Sequence, residues 1–260
     1  MIRGIVAVVI LDLKRFWVDR VRLVAGLAQP LLYLFVLGAG LGASSRMGGG
    51  DYRRFIFPGT MALSLLFSAT FAAITIVFDR QIGFFKAVLV APIPRPAIAL
   101  GKIIAGAVQS FAQGMVLLPF APLAGASLNP LQAAEMIGAM ALASLTFSSI
   151  GMAIACRFNS TTVFPVASNA VLMPMFFLSG GLYPLKAAPH WMQVAAHFDP
   201  VAYAVDLMRE AVLGESFFPV PLSLGALVLT IVILVSASVS VFNRGEDDSS
   251  LGASRFRLRR

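Results

Sequence analysis

Six long apolar runs limit most strongly what this chain can fold into. About 20 helical residues cross the roughly 30 Å hydrocarbon layer of a bilayer. Each run is about that long, and only the fourth contains a charged residue, Glu135. The pattern predicts an all-α integral membrane protein with six transmembrane helices. The runs are Val24–Leu41, Phe57–Phe78, Ile103–Ala124, Leu131–Ala155, Thr161–Leu182 and Val220–Phe242.

The overall composition agrees with a membrane protein and argues against other classes. Charged residues make up 12% of the 260 residues, about half of what soluble domains carry, and the mean hydropathy is +0.87. The net charge of +8 does not indicate nucleic acid, because the basic residues flank apolar runs instead of sharing a soluble face. They favour contact with anionic lipid. A single cysteine, Cys156, excludes an intramolecular disulfide and a cysteine-built metal cluster.

The distribution of basic residues predicts how the helices are oriented. If the N-terminus is cytoplasmic, 15 of the 20 Lys and Arg residues lie on the cytoplasmic side of six spans. Such a bias marks the inner side of a membrane. We therefore expect both termini in the cytoplasm, in a bacterial-type inner (plasma) membrane. Residues 243–260 would form a basic cytoplasmic tail, and residues 24–242 the six-helix part of a single membrane domain.

The segment before the first run predicts a helix on the membrane surface. Its apolar residues recur at helical spacing, and Lys14, Arg15, Arg20 and Arg22 follow near its end. This arrangement is typical of an interfacial helix, here residues 1–23. A simple extension of the first span is the alternative.

The connection between the fifth and sixth runs predicts two short helices. Their sequences are APHWMQVAAHF and DPVAYAVDLMREAVLG. Asp199 is a favourable N-cap before Pro200, and Gly214 is placed to end the second helix. Neither helix is long enough to span, so both are expected to lie on the outer surface or to re-enter the membrane.

The sequence contains only partial matches to the motifs for ATP hydrolysis, and its ionisable residues do not form a recognisable metal-binding pattern. The tetrapeptide Leu178-Ser179-Gly180-Gly181 matches part of the LSGGQ signature of ABC ATPases, but it falls at the outer end of the fifth run. The only Gly-Lys pair, Gly101-Lys102, lacks the other positions of a P-loop. The remaining ionisable candidates are expected to be solvated, interfacial or capping residues: Glu135, His190, His197, Asp199, Asp206 and Glu210.

The cytoplasmic connection after the second run carries the most information. The charged pair Asp79-Arg80 is followed by an amphipathic stretch, residues 82–90, and by the sequence APIPRP. Proline fixes its own φ and disfavours helix in the residue before it. We expect a short helix held rigidly between the second and third spans, able to transmit a push from a soluble partner. An ordinary basic loop is the alternative.

This connection, FDRQIGFFKAVLVAPIPR followed by LGK, resembles that of type-2 ABC exporter permeases. The resemblance is to the branch of daunorubicin-resistance and nodulation-factor exporters. It extends to QPLLYLFVLGAGLG near the first span and to FFLSGGLYPL near the fifth. Gln81 departs from the family pattern, in which many members carry glutamate at this position.

The resemblance implies a permease half-transporter. Two copies would pair and bind two ABC ATPase subunits on separate chains, so that ATP and magnesium would be bound by the partner and no cofactor by this chain. Coupling to the ATPase would fall to Asp79, Arg80, Gly83, Phe84, Lys86, Pro92, Pro94 and Arg95. Independently of the resemblance, the glycines and prolines at the outer end of the fifth span and in the following connection predict an outer gate or re-entrant segment: Gly180, Gly181, Pro184, Asp199 and Pro200.

The sequence says less about which molecule is transported than about which family the chain resembles. The apolar, aromatic-rich spans favour an amphipathic or hydrophobic drug-like molecule, and a lipid-linked glycan or lipo-oligosaccharide is the alternative. An intramembrane transferase would need converging acids, histidines or a metal, and a passive channel would not need the coupling connection. Both are weaker hypotheses.

Overall fold

The protein is α-helical throughout the part of the chain that its computed structural model describes, residues 1–38, 40, 49–81 and 95–244. No β-strand occurs in these residues, which confirms the all-α prediction. The helices are α1 (Ile2–Val18), α2 (Arg20–Leu32), α3 (Gly49–Gln81), α4 (Arg95–Leu117), α5 (Pro130–Ala155), α6 (Val163–Leu178), α7 (His190–Ala196), α8 (Pro200–Leu213) and α9 (Val220–Arg244).

Within the described residues, four helices are long and apolar enough to cross a membrane. They comprise Tyr52–Gln81, Pro96–Phe120, Pro130–Ala155 and Val220–Val241, and they coincide with the second, third, fourth and sixth predicted spans. The first and fifth predicted spans correspond to shorter apolar helices, Gly26–Leu37 and Val163–Leu178. The number of six spans therefore stays a prediction.

Each of the two shorter helices contains or adjoins a residue that disturbs regular helical hydrogen bonding. Gly180 follows α6 with a φ of +72°, a left-handed conformation that ends a helix and favours glycine. Pro30 lies inside α2 and supplies no N–H for the ladder. Further along, the helix widens into a π-helical turn, Tyr33–Leu37.

The three helices α3, α4 and α5 form the centre of the bundle, and α8 packs into it. The predicted apolar face of α8 is buried, since Val201, Val205, Met208 and Val212 are at most 1% exposed. This helix therefore lies against α3, α5 and α9 and not on a surface. Asp199 caps it and Gly214 ends it with a φ of +70°, as the sequence predicts.

The other short helix, α7, remains on the periphery. Trp191 and Phe198 are 64% and 84% exposed. Tryptophan is enriched at membrane interfaces, which fits the exposed position of Trp191. His190 and His197 are also exposed, and the Tyr203 hydroxyl donates a hydrogen bond to the His197 carbonyl at 2.8 Å.

Candidate coupling site

Four charged side chains from three helices meet in what we name the Lys102 cluster: Asp12 and Arg15 of α1, Asp79 of α3 and Lys102 of α4. The Lys102 ammonium donates to an Asp79 carboxylate oxygen at 2.7 Å and to Asp12 at 3.0 Å. Arg15 donates to the other Asp79 oxygen at 3.2 Å. Two positive and two negative groups therefore balance at one point.

Three members of this cluster are removed from solvent. Asp12, Asp79 and Lys102 are 4%, 2% and 8% exposed, whereas the Arg15 side chain is 42% exposed. Buried charges are tolerated when they are paired, and deleting one partner leaves the other uncompensated. The cluster therefore holds α1 in a defined position against α3 and α4.

Local sequence explains why α1 can approach α4 so closely. A Cβ added at Gly101, next to Lys102, would lie 2.9 Å from the Val8 Cβ and 3.2 Å from the Ile5 carbonyl oxygen. Glycine at this position is therefore required for the contact. Farther along α4, the Gln109 amide donates to the Asp12 carbonyl at 3.4 Å. Asp12 lies on the buried side of α1 together with Phe16.

The end of α3 is also attached to the opposite side of the bundle. Arg80 donates to the carbonyls of Ala155 and Cys156, at 3.2 Å and 3.3 Å. These groups belong to the C-terminus of α5, where the helix supplies no further donors. The Gln81 side-chain oxygen accepts from the Thr161 hydroxyl at 3.0 Å. Consecutive residues of α3 thus contact α1 and α4 on one side and the α5–α6 connection on the other.

The structure describes only part of the predicted coupling segment. It places Asp79 in the Lys102 cluster and Arg80 against the end of α5. Arg95 begins α4, although its side chain lies outside the described residues. The other predicted coupling residues, Gly83, Phe84, Lys86, Pro92 and Pro94, also lie outside them. Their contact with an ATPase stays a prediction.

Three members of the Lys102 cluster were absent from the predicted site. Asp12 carried a usable signal, because an aspartate within the apolar sequence IVAVVILDL needs a partner if that helix face is buried. Arg15 and Lys102 resembled ordinary basic residues flanking an apolar run. Nothing local in the sequence indicates which of the 20 Lys and Arg residues would pair with Asp12.

A second set of charged side chains, which we name the Arg209 cluster, lies along α8, at its N-cap and against its C-terminal end: Asp199, Asp206 and Arg209, which are buried, and Arg54. Arg209 donates to the Gly180 carbonyl at 2.6 Å, and its guanidinium carbon lies 4.4 Å from the centre of the Phe55 ring. Phe55 and Asp79 are both in α3, 24 residues apart, which corresponds to about 36 Å along the helix. The two clusters therefore lie towards opposite ends of α3.

Every hydrogen bond found for this cluster joins a side chain to the backbone. Asp206 accepts from the amides of Phe217 and Phe218 at 2.8 Å and 2.9 Å. Arg54 donates to the Val212 carbonyl at 3.1 Å. Asp206 was expected to be a solvated or capping residue, but it is 1% exposed. It ties the segment just before α9 to α8.

Asp199 lies in the connection between α7 and α8, outside the membrane-spanning helices. One carboxylate oxygen accepts from the Val201 amide at 2.8 Å, and the other has no hydrogen-bond partner in the described structure. Burial raises the pKa of Asp199 to about 7.

The predicted gate residues sit where α3, α6 and α8 come together. Gly180 follows α6 and accepts from Arg209. Gly181 packs on Gly59, where an added Cβ would fall on the Gly181 carbonyl. Pro184 precedes a short 3-10 turn, Leu185–Ala187, and Pro200 begins α8 behind the Asp199 cap. A gating role for these residues stays a prediction.

Comparison with known proteins supplies an independent test of the resemblance. The family model for ABC-2 type transporters matches residues 3–213. Nodulation protein J of Rhizobium leguminosarum bv. trifolii is 34% identical over 227 residues, which cover 85% of this chain and 86% of that protein. The inner membrane transport permease YadH of Escherichia coli is 26% identical over 241 residues, covering 89% and 90%. The matched region includes both charge clusters.

Proposed function

Because the chain belongs to the ABC-2 type transporter family, we propose that it is the membrane-spanning permease subunit of an ATP-driven exporter. Its ATPase would be a separate chain, since no P-loop is present in the sequence. Two copies of the permease would pair and bind two ATPase subunits, which hold ATP and magnesium. Residues 1–260 would form one permease domain with six spans and both termini in the cytoplasm of a bacterial-type inner membrane.

The Lys102 cluster is the observation that supports this proposal most directly. It joins the last turns of α3, the first turns of α4 and the N-terminal helix α1. Residues 82–94, the middle of the predicted coupling segment, connect α3 with α4. A force applied to that segment by an ATPase would therefore reach two spans and the interfacial helix through directly bonded side chains.

The proposed mechanism requires the cluster to differ between two states of the transporter. A ligand shifts a conformational equilibrium only by its differential affinity for the two states. ATP-driven closure of the ATPase pair would move the coupling segment with the end of α3. Asp79, which now contacts both Lys102 and Arg15, would then release one of these two partners and keep the other. Arg15 is the partner whose side chain is partly exposed. The Arg80 contacts with the end of α5 would pass the movement to the α5–α6 connection.

Co-purification with the ATPase tests the coupling role. The permease would be expressed with its candidate ATPase, and Asp79→Ala and Arg80→Ala would be compared with Glu135→Ala. Glu135 is an exposed acidic residue at the start of α5 and serves as a matched control for loss of charge. We expect ATP-driven transport to fall at least tenfold in the Asp79 and Arg80 variants and to be unchanged in the control. If ATPase association and transport both survive in the Asp79 and Arg80 variants, the coupling assignment is wrong.

An amphipathic or hydrophobic small molecule is the cargo class that we favour. An apolar groove of about 860 Å³ lies between α5, α6 and α9, with Arg157 near one end. Its walls include Ile154, Ala167, Val171 and Ile233. Such a site suits a molecule with an apolar body and a polar or anionic end. A lipid-linked glycan or lipo-oligosaccharide has the same two-part character and is the alternative.

Transport into inverted membrane vesicles separates the two cargo classes. A fluorescent amphipathic dye and a short-chain lipid-linked oligosaccharide would be offered to the permease–ATPase complex with and without ATP. ATP-dependent uptake of the dye alone supports a drug-like cargo. Uptake of the oligosaccharide alone, with dye excluded, would replace that assignment by glycan export and leave the permease function intact.

A further inference from the structure

A small cavity, which we name the Arg209 cavity, lies between the segment after α6, the helix α8 and the segment before α9. Its volume is about 50 Å³, which is enough for a few water molecules or one small ion. Sites for drug-sized ligands are larger, about 300–1,000 Å³. Its polar lining consists of Lys186, Arg209, Glu215 and Ser216. The size restricts the occupant to one small chemical group.

The Arg209 guanidinium borders this cavity with donors that the protein does not satisfy. Arg209 is 6% exposed, and a guanidinium carries five N–H donors. In the described part of the chain, Nη2 donates to the Gly180 carbonyl at 2.6 Å, and Nε is buried without a partner. The Phe55 ring covers one face of the group at 4.4 Å. A buried cation with unmet donors favours an acceptor beside it.

Neighbouring carboxylates do not neutralise this cation by direct contact. Asp206, one turn before Arg209 on α8, uses its two oxygens to accept from the amides of residues 217–218. Glu215 of the lining forms no ion pair among the described residues. The lining therefore carries two cations, Arg209 and Lys186, against one carboxylate.

Local structure positions the two other donors of the lining. Lys186 is the middle residue of a 3-10 turn, Leu185–Ala187, and this turn is anchored by Leu185, which is 2% exposed. Ser216 precedes Phe217, whose amide is fixed by a hydrogen bond of 2.8 Å. A guanidinium, an ammonium and a hydroxyl thus line one cavity. Arginine and lysine are the side chains that bind phosphate and carboxylate oxygens most strongly.

We propose that the Arg209 cavity binds one oxyanion group, a phosphate or a carboxylate, at the end of α3 opposite the Lys102 cluster. Its apolar walls include Phe55, Leu185 and Phe217, and they strengthen the attraction by lowering the local dielectric constant. Lys186 and Glu215 are exposed, so the cavity is accessible from solvent. A free anion and the headgroup of a phospholipid both present this chemistry. The inference does not depend on the proposed transport function.

Stabilisation by phosphate measures binding at this site. The purified permease in an uncharged detergent would be titrated with sodium phosphate at constant ionic strength and neutral pH. A ligand that binds the folded state raises the thermal midpoint as its concentration increases, and this dependence yields the dissociation constant. We expect a saturable rise in wild type. A rise no larger than that in sodium chloride would overturn the proposal.

Substitutions of exposed charges separate a binding site from a general salt effect. Phosphate also stabilises proteins by exclusion from their surface, and this effect is the same in all variants. Lys186→Gln should raise the dissociation constant about threefold, and Glu215→Gln should lower it by about the same factor, because they remove an attractive and a repulsive charge. Lys14→Gln, at an exposed position of α1, is the matched control and should leave it unchanged. Identical constants in all three variants would contradict the assignment.

Arg209→Lys tests the guanidinium itself. Lysine keeps the charge but loses the planar fork that matches an oxyanion, so the dissociation constant should rise about tenfold. An unchanged constant would mean that Arg209 does not contact the ligand. If this buried substitution prevents folding, the opposite effects expected for Lys186→Gln and Glu215→Gln still decide the matter.

Two further ligands distinguish the sources of the anion. Glycerol 3-phosphate and dihexanoyl phosphatidylglycerol share a phosphate group, but only the second carries apolar chains. Binding of the lipid at least tenfold more tightly, with weakening in Lys186→Gln, assigns the site to a phospholipid headgroup. Equal affinities with the same weakening assign it to a free anion. Binding of neither ligand, or binding that Lys186→Gln leaves unchanged, would overturn the proposal.

Discussion

The Lys102 and Arg209 clusters bury similar groups in different ways. The Lys102 cluster joins α1, α3 and α4 through bonds between side chains. The Arg209 cluster joins α8 to its surroundings through bonds from side chains to backbone groups. A buried charge can be satisfied by either arrangement.

The difference has a mechanical consequence. Side chains of opposite charge can exchange partners when helices shift, and the backbone hydrogen bonds of each helix remain intact. A carboxylate that accepts two consecutive amides, as Asp206 does, fixes the path of the chain and must release both amides before the chain moves. We infer that the Lys102 end of α3 is the adjustable end of this permease and that the Arg209 end is the rigid one. The predictions below test this contrast.

The largest effect is expected for Lys102→Met. The substitution leaves the buried carboxylates of Asp12 and Asp79 with Arg15 as the one remaining cation of the cluster. Breaking a buried ion pair by removing one partner costs about 3–5 kcal/mol. The free energy of unfolding in detergent, measured by thermal or denaturant unfolding, should fall by that amount, and ATP-driven transport should be lost.

A double variant separates stability from coupling. Asp12→Asn combined with Lys102→Met leaves Asp79 paired with Arg15 and restores charge balance. We expect most of the lost stability to return while transport stays low, because α1 no longer has its ionic link to α4. Full recovery of transport would mean that the cluster is structural only.

Gly59→Ala is expected to have the next largest effect, at the rigid end. The added methyl group would meet the Gly181 carbonyl of the chain segment after α6, where neither backbone can easily move. Overpacking of this kind costs about 3 kcal/mol, measurable as a lower thermal midpoint. Gly138→Ala in α5 is the control, because no atom lies within 4 Å of its added Cβ. An equal loss in both variants would point to helix effects unrelated to the contact.

Asp206→Asn should weaken the rigid end without affecting ATPase binding. Asparagine offers one acceptor oxygen in place of two, so one of the amides of Phe217 and Phe218 loses its partner. Leaving a buried donor unsatisfied costs about 1–2 kcal/mol. Hydrogen exchange at residues 214–218 should accelerate, while the yield of co-purified ATPase should stay within twofold of wild type. Loss of ATPase binding in this variant would contradict the division between the two ends.

The smallest effect is a pH dependence from Asp199. Its pKa is about 7 in the folded protein against an ordinary value of 3.8, so the folded state binds the proton more tightly. Its contribution to stability is therefore complete below about pH 3.8 and is lost as the pH rises through 7. The free energy of unfolding should fall by about 1 kcal/mol more in wild type than in Asp199→Asn between pH 6 and pH 8. Asparagine still caps α8, so an identical pH profile in the two proteins would exclude Asp199 as the source.

Elements that depend on local signals were predictable. The all-α class, the cap at Asp199, the end of α8 at Gly214 and its buried face all follow from residues within a few turns of each other. The length of the fifth span was overestimated, because hydropathy does not register that Gly180 ends α6. The end of the first predicted span at Leu41 lies outside the described residues, so its length stays a prediction. The surface position allowed for α8 was wrong because its length excludes a span but does not exclude burial inside the bundle.

The sequence by itself determined an apolar helical protein of a recognisable transporter family, since hydrophobic runs, capping residues and the Asp79–Lys102 connection are all contiguous in the chain. Only the tertiary structure decided which charges meet. Lys102 and Asp12 are 90 residues apart, and Arg15 and Asp79 are 64 apart. Their pairing depends on how three helices pack around Gly101, and that packing is a property of the whole bundle. The same holds for the LSGG segment, whose second glycine, Gly181, packs on Gly59 in a contact that no local pattern reveals.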